Sequence, residues 1–238
     1  MDPAYARSYR KLYDHHWWWR ARESMVLVLL ERLEPAGGFG RILDVGCGDG
    51  LFFAKLQRFG DPEGVEPDGS IVTDLGLSRG RIHQRPFDDA FEPGHEFGLV
   101  LMLDVLEHLE APVAAMAHAK SLLAPGGRLL VTVPAFHALW TAHDDYNHHR
   151  RRYRRRSLEI EARSAGLEVE LIRYFFHWMF PVKLIVAVVE RLSSSRPRPA
   201  QVPGKLVNSA CFAASRLEQR LTRRFHLPFG SSLIAVLK

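Results

Sequence analysis

Only two cysteines occur in the 238 residues, Cys47 and Cys211. That excludes a disulfide framework and any zinc site built from cysteines. Long apolar runs are also missing. The best candidate, Phe175–Val189, is about 15 residues long, short of the ~20 that span a bilayer, and His177, Pro181 and Lys183 interrupt it. The stretch Met1–Met25 has no apolar core of signal-peptide type, so a cytoplasmic location is expected. No internal repeat is visible. Acidic residues are scarce in the C-terminal part: residues 150–238 carry 18 Lys/Arg against 6 Asp/Glu, a balance of +12. Residues 1–149 carry 14 against 21, a balance of −7. The two parts should therefore face different partners.

What is present describes a globular protein. Hydrophobic residues make up 47% and charged residues 25%, which rules out wholesale disorder. The length suits one large domain, or one domain with an appendage, and a core that needs no staples. Residues 15–34 read as a helix, with Trp18, Met25, Leu29 and Leu33 at helical spacing and Pro35-Ala-Gly-Gly as its stop. Strands are predicted at Arg41–Val45, Asp61–Val65, Arg81–His83, Phe97–Leu103, Arg128–Val133, Leu167–Tyr174 and Ser232–Leu237. Helices are predicted between them at Leu51–Phe59, Pro112–Leu123 and Ser157–Ala165. This alternation predicts an α/β fold with a mostly parallel sheet. Two pieces stand outside it. Ala135–Arg156 is a polar connection rich in His and Arg, and Phe175–Phe229 holds two apolar helical runs around Ser193–Pro199, expected to be a polar surface linker.

Ile42-Leu-Asp-Val-Gly-Cys-Gly-Asp-Gly50 is the most informative stretch. It follows a strand and precedes a helix. Glycines let a ligand approach the backbone, and a helix N-terminus presents free N–H groups. Glu66 lies 22 residues after Asp44, at the end of the second strand, where a carboxylate can accept from two ribose hydroxyls. Nucleotide-type binding is the expectation; a purely structural turn is the alternative.

Asp44-Val-Gly-Cys-Gly-Asp-Gly50 resembles the first motif of class I S-adenosylmethionine-dependent methyltransferases. Its GxGxG spacing, with an acidic residue two before the first glycine, differs from the GxGxxG of dinucleotide sites. Phe97–Leu109 resembles the family's fourth-strand motif, and Leu123-Ala-Pro-Gly-Gly-Arg-Leu-Leu-Val131 its turn into the fifth strand. His16-Trp17-Trp18 through Arg22, and His143–Tyr153, are similar to the type-11/12 branch. The resemblance implies a Rossmann-like seven-stranded sheet with helices on both faces and a helical cap before the last strand. It implies a helical lid at 1–36, a cofactor domain at 37–175 plus 230–238, and a cap at 176–229. It implies S-adenosylmethionine as cofactor, with S-adenosylhomocysteine as product.

The resemblance also assigns residues. Gly46, Cys47 and Gly48 would pass under the methionine part of the cofactor, and Asp44 would orient that loop. Glu66, beside Pro67, would hold the ribose. Phe87 and Asp88 would contact adenine, and Leu103 and Asp104 would line the cofactor from the fourth strand. Trp18 would cover it, and Arg22 would meet its carboxylate or else make a surface salt bridge. Gly98 stands where the family often has Asp, a position read as structural. Arg85-Pro86 replaces a common Gly-Asp or Gly-Ser.

Methyl transfer from a sulfonium needs alignment above all, and a base only if the acceptor must lose a proton. Candidates for acid–base or orienting work are His149, His108, Asp104 and His143, all near the sheet edge where α/β proteins bind ligands. Structural hydrogen bonding is the alternative for each. Residues 143–149 lack a helical HExxH spacing, so no metal site is expected. Three consecutive tryptophans, Trp17–Trp19, cannot all face one core; the resemblance implies that at least one covers the cofactor or acceptor, and packing of the N-terminal helix on the sheet edge is the alternative. The resemblance makes Tyr146, Arg151, Arg152 and Tyr153 acceptor contacts. Six arginines in Arg150–Arg156 favour an anionic acceptor, membrane headgroups or nucleic acid, or form a solvated face. No Asn/Asp-Pro-Pro-Tyr signature of base methylation and no RNA-binding module is present, which disfavours nucleic acid. The expected acceptor is a small or lipid-linked molecule, and the basic apolar segments after residue 174 suggest peripheral membrane contact. A non-catalytic cofactor-binding protein is the remaining alternative.

Overall fold

A computed structural model of the chain describes residues 3–74, 81–193, 200–222 and 227–238, with residues 3–8 as backbone only. Two helices, α1 (Pro3–His15) and α2 (Trp17–Leu33), lead into β1 (Arg41–Val45). The short α3 (Phe53–Leu56) is followed by β2 (Asp61–Val65), β3 (Arg81–His83) and β4 (Phe97–Leu103). Next come α4 (Pro112–Ser121), β5 (Leu123–Pro134), α5 (Ala142–Tyr146), α6 (Arg155–Ser164) and β6 (Val169–Phe175). The helices α7 (Met179–Leu192) and α8 (Lys205–Leu221) precede β7 (Ser232–Leu237).

The strands form one seven-stranded sheet in the order β3-β2-β1-β4-β5-β7-β6. Only β7 runs antiparallel, between β5 and β6. Period-two alternation sends side chains to two cores. Leu99 and Leu101 of β4 join Ile42, Leu130 and Ile234 in one, under α2. Val100 and Met102 join Leu43, Val131 and Leu233 in the other, against α4 and α6. This is why β4 and β7 read as unbroken apolar runs.

Some expectations need correction. The helix expected at 51–59 is only one regular turn, Phe53–Leu56. The turn expected at Pro125-Gly-Gly lies inside β5, as a register shift opposite Phe97/Leu99. The first helix was not foreseen as a separate element. Part of the Ser193–Pro199 linker lies outside the described residues, which end at Ser193 and resume at Ala200. Gly98 has a steric reason: a Cβ there would stand 2.0 Å from the Phe39 carbonyl oxygen. No side chain, aspartate included, fits without moving backbone.

The helices outside the alternation pack on each other. Asn208 of α8 accepts from the Trp17 N–H at 2.9 Å and donates to the His15 carbonyl at 2.8 Å, filling the break between α1 and α2. Gln219 donates to the Ala21 carbonyl at 2.8 Å, and the Arg20 guanidinium lies 4.3 Å from the Phe212 ring centre. By contrast α7 buries only Ala187.

Candidate active site

The C-terminal edge of the parallel strands opens into a cavity of about 1060 Å³. Its floor at one end is the turn after β1. Gly46 and Gly48 adopt φ of +71° and +54°, a region side chains disfavour. A Cβ on Gly46 would press to 2.9 Å from Val105 Cγ2. Glu66, at the end of β2, is buried and lines the same space. Its carboxylate accepts from the Gly48 N–H at 3.1 Å and the Asp68 N–H at 3.0 Å. Burial raises its pKa, and those two N–H groups pull it back. Pro67 and Leu103 also line the cavity.

The first helix closes over this turn. Arg10 pairs with Asp49, whose carboxylate also accepts from the Thr73 N–H and hydroxyl, each at 2.8 Å. Tyr9 Cε1 would lie 3.6 Å from a Cβ on Gly48. From α2, Arg22 reaches the end of β4 and donates to Asp104 at 2.5 Å. Asp104 sits at φ +59°, a left-handed conformation aspartate tolerates better than most residues. Nε of Arg22 is buried without a hydrogen-bond partner. Both residues line the cavity, so Arg22 is neither on the surface nor free of protein carboxylate.

Asp44 and Cys47 do not line the large cavity. They line a separate hollow of about 30 Å³, which shares Tyr9, Arg22, Gly46 and Leu103 with it. That is room for about one water molecule. Burial pushes Asp44 up to about 7, against the Arg22 charge and with help from Glu66. Burial and then Asp44 push the Cys47 thiol far up, so it is no nucleophile.

The other end of the cavity is built from the segment after β5. Asp144 is fully buried and accepts from Arg152 Nε at 2.8 Å, Arg152 Nη2 at 2.9 Å and the Thr141 N–H at 2.9 Å. It also pairs with His149 Nδ1 at 2.8 Å. Burial alone would raise its pKa; the hydrogen bonds from His149 and Arg152 outweigh this and hold the carboxyl well below its usual range. An ionised carboxylate only accepts, so Nδ1 of His149 carries the proton. His149, His108, His143, Tyr146 and Arg152 all line the cavity. Burial, then Lys183, brings His143 down to about 4.

Four expected contacts fall elsewhere. Phe87, half-buried, packs on His118 and Phe91, with ring centres 4.9 and 5.9 Å away, against the core on the α4 side. Asp88 is exposed and accepts from the Ala90 N–H at 3.1 Å, closing a turn. Arg151 donates to the Leu109 and Glu110 carbonyls at 3.0 and 3.2 Å, fastening the segment to the end of β4. Tyr153 is core, 1% exposed, because a bridge to Ala135 extends the sheet there. The tryptophans also differ from expectation. All three touch one apolar cluster, since α1, α2 and residues 176–178 surround them. Trp17 meets Phe176 and Trp178, Trp19 meets Tyr9, and all three still line the cavity.

Three groups were not singled out as site residues. Tyr9 could have been found, because Tyr9, Leu12 and Tyr13 recur at helical spacing. Lys183 and Glu190 of α7 reach the cavity from an element whose placement no local pattern reveals. Lys183 has no ion-pair partner among the described residues, and burial, then Arg152, lowers it to about 8.

Residues 17–172 match the family described as a methyltransferase domain. A ubiquinone biosynthesis O-methyltransferase of Xanthomonas axonopodis pv. citri is 32% identical over 160 residues, 58% of this chain and 66% of that protein. Another so named, from Azorhizobium caulinodans, is 35% identical over 42% of each chain. The matches thus span less than two thirds of these relatives. Among solved structures, a TehB-like methyltransferase of Corynebacterium glutamicum aligns with TM-score 0.58 and 16% identity, over 100% of this chain and 99% of that one. One from Archaeoglobus fulgidus gives 0.58 and 15%, over 91% and 94%. Those two show the fold. The cavity fits the cofactor on its own evidence: a cradle that a Cβ would fill, an orphaned buried guanidinium nitrogen and a buried carboxylate beside both. Sheet order, glycine cradle and family match converge, and the chain belongs to the class I S-adenosylmethionine-dependent methyltransferases.

Proposed function

We propose that the chain methylates a small amphiphilic acceptor, anionic at one end and apolar at the other, drawn from a membrane surface. One observation carries this reading. The cavity that begins at the glycine turn continues to α7, and its volume of about 1060 Å³ reaches the top of the ~300–1,000 Å³ range for a single ligand. There is room for a second molecule beside the cofactor.

Bound S-adenosylmethionine supplies a methyl group already activated on a sulfonium. The protein's part is positioning. Gly46 and Gly48 offer backbone, Glu66 accepts from the ribose, and Arg22 offers its unpaired Nε to the carboxylate. Trp18 and Tyr9 exclude water. At the far end Lys183 and Arg152 would attract the anionic part of the acceptor, while Met179, Val182 and Val186 would hold the apolar part. His149, fixed through Nδ1, turns Nε2 away from Asp144, free to orient the acceptor or take its proton. The relatives named as O-methyltransferases make a hydroxyl the first acceptor to test.

The membrane element of the proposal rests on α7. Val182 and Val186 line the cavity, while Ile185, Val189 and Leu192 on the same helix are 64%, 55% and 85% exposed. Leu206, Val207, Leu217 and Leu221 of α8 are also exposed. Arg191 and Arg220 flank these faces. Apolar helix faces rimmed by arginine suit an anionic bilayer surface. No described helix is long and apolar enough to cross a membrane.

Two assays test this. Labelled cofactor is offered with a lipid extract and, separately, with aqueous metabolites; label entering the lipid fraction is expected. The protein is also floated with anionic vesicles at low salt, where failure to co-float contradicts membrane docking.

A further inference from the structure

Another hollow, of about 30 Å³, lies away from the cavity, between the C-terminal halves of α2 and α8 and the edge strand β6. It shares no lining residue with the cavity. Four guanidiniums line it: Arg32 of α2, Arg173 of β6, and Arg216 and Arg220 of α8. Glu218 is its one carboxylate among the described residues. Four positive charges against one negative leave an excess of three. That carboxylate is engaged, since its Oε2 accepts from the Trp178 N–H at 2.9 Å.

Strand alternation sends Leu171, Arg173 and Phe175 to the same side of β6. Leu171 and Phe175 pack into the apolar core under α2. Packing alone would place an apolar side chain between them. Arg173 stands there instead, half-buried, with no ion pair and no side-chain hydrogen bond among the described residues. Burial, and then the nearby Arg32 charge, pull its pKa below the usual arginine range. Arg32 and Arg220 also lack such a partner among the described residues. Arg216 makes both of its hydrogen bonds through Nη1, to the Ser24 hydroxyl and to Gln219 Oε1, the latter at 3.2 Å. Like charges gathered around a partly dry hollow repel one another, a cost that a bound anion removes.

We propose that Arg32, Arg173, Arg216 and Arg220 form a site for a terminal phosphate group, separate from the methyl-transfer cavity. Charge and size select phosphate. A dianion matches the positive excess better than a single carboxylate does, and guanidiniums fork onto phosphate oxygens. A hollow of about 30 Å³ receives only a group of a few atoms, so the rest of the ligand stays outside it. A soluble phosphate monoester and a lipid with a phosphate-monoester headgroup present the same group. Once bound, the phosphate bridges α2, α8 and β6. The site does not depend on the methyl-transfer reading: phosphate binding here requires neither cofactor nor acceptor.

The test titrates inorganic phosphate and glycerol 3-phosphate into the full chain by calorimetry at low salt, with chloride as control. One equivalent should bind, and saturating phosphate should raise the melting temperature. Arg173→Met should weaken binding by about tenfold or more. Arg32→Gln, at an exposed position that leaves the fold intact, should weaken it by about threefold. Arg156→Gln, exposed on α6, and Lys183→Met, in the cavity, should leave it unchanged. A second arm floats the protein with phosphatidic acid vesicles and with phosphatidylglycerol vesicles of equal charge. A preference for phosphatidic acid that Arg173→Met abolishes identifies a lipid source, and tight Arg173-dependent binding of the soluble ester identifies a soluble one; either supports the site. No binding in either arm, or binding that Arg173→Met and Arg32→Gln leave unaltered, overturns it. Loss of binding in Lys183→Met alone locates the phosphate in the cavity and overturns it as well.

Discussion

Arg22 on α2 and Asp104 at the end of β4 meet at 2.5 Å, with side chains only 9% and 20% exposed. The pair ties the N-terminal helices to the strand that ends under the cofactor. Asp104 makes this contact from a left-handed conformation, φ +59°. Removing one partner of such a pair strands the other charge, at a cost of about 3 kcal/mol. Arg22→Ala should therefore lower the melting temperature by roughly 6–12 °C for a chain of this size. It should weaken cofactor binding as well. Arg22→Lys should recover part of the stability but not the affinity, because the planar fork is lost. Differential scanning calorimetry and isothermal titration read both effects.

Asp44 makes apo stability depend on pH. Its folded pKa of about 7 exceeds the usual unfolded value of ~3.9. A raised folded pKa contributes stability that is complete below the unfolded value and lost as pH rises through the folded one. Wild-type protein should lose stability relative to Asp44→Asn between about pH 4 and pH 7. At pH 7.5 the variant should be at least as stable, yet bind the cofactor less tightly. Melts across that range, with and without cofactor, check both.

Lys183 gives the acceptor end its own pH signature. With a pKa of about 8, it is charged at neutrality and loses its charge above that value. For an anionic acceptor, KM should rise above pH 8 while cofactor affinity stays level. Arg152, Asp144 and Asp104 set the field around it. Lys183→Met should flatten the profile and raise KM at pH 7. KM profiles from pH 6 to 9 decide the matter.

Gly98 tests the packing. Gly98→Asp restores the residue often found at this position in the family, but its Cβ would collide with the Phe39 carbonyl at 2.0 Å. The variant should be destabilised by more than ~3 kcal/mol, as overpacking against backbone allows no rotamer escape. Denaturant midpoints measure this, and a neutral outcome would show that β4 can shift.

Much of the fold was legible because it is written locally. The runs Phe97–Leu103 and Ser232–Leu237 show their burial on both faces directly in composition. Asp44, the glycines and Glu66 sit close in sequence around one crossover. The cavity beyond them was not legible. Glu107 and His149 are 42 residues apart, and only the parallel alignment of β4 and β5 sets their loops side by side. The resemblance of the segment groups Tyr153 with the acceptor contacts, yet one step along the chain from Arg152 turns it into the core. Phe87 and Asp88 lie in the loop after β3, whose path depends on how Phe87 packs against the α4-side core.

The central claim is that the turn at Gly46–Gly48 with Glu66 holds S-adenosylmethionine. Isothermal titration of the cofactor into wild type, Glu66→Ala and Gly46→Arg tests it most directly. The account predicts one site in wild type and no measurable binding in either variant, with folding verified by circular dichroism. Retained affinity in both folded variants, or no binding by wild type, would contradict it.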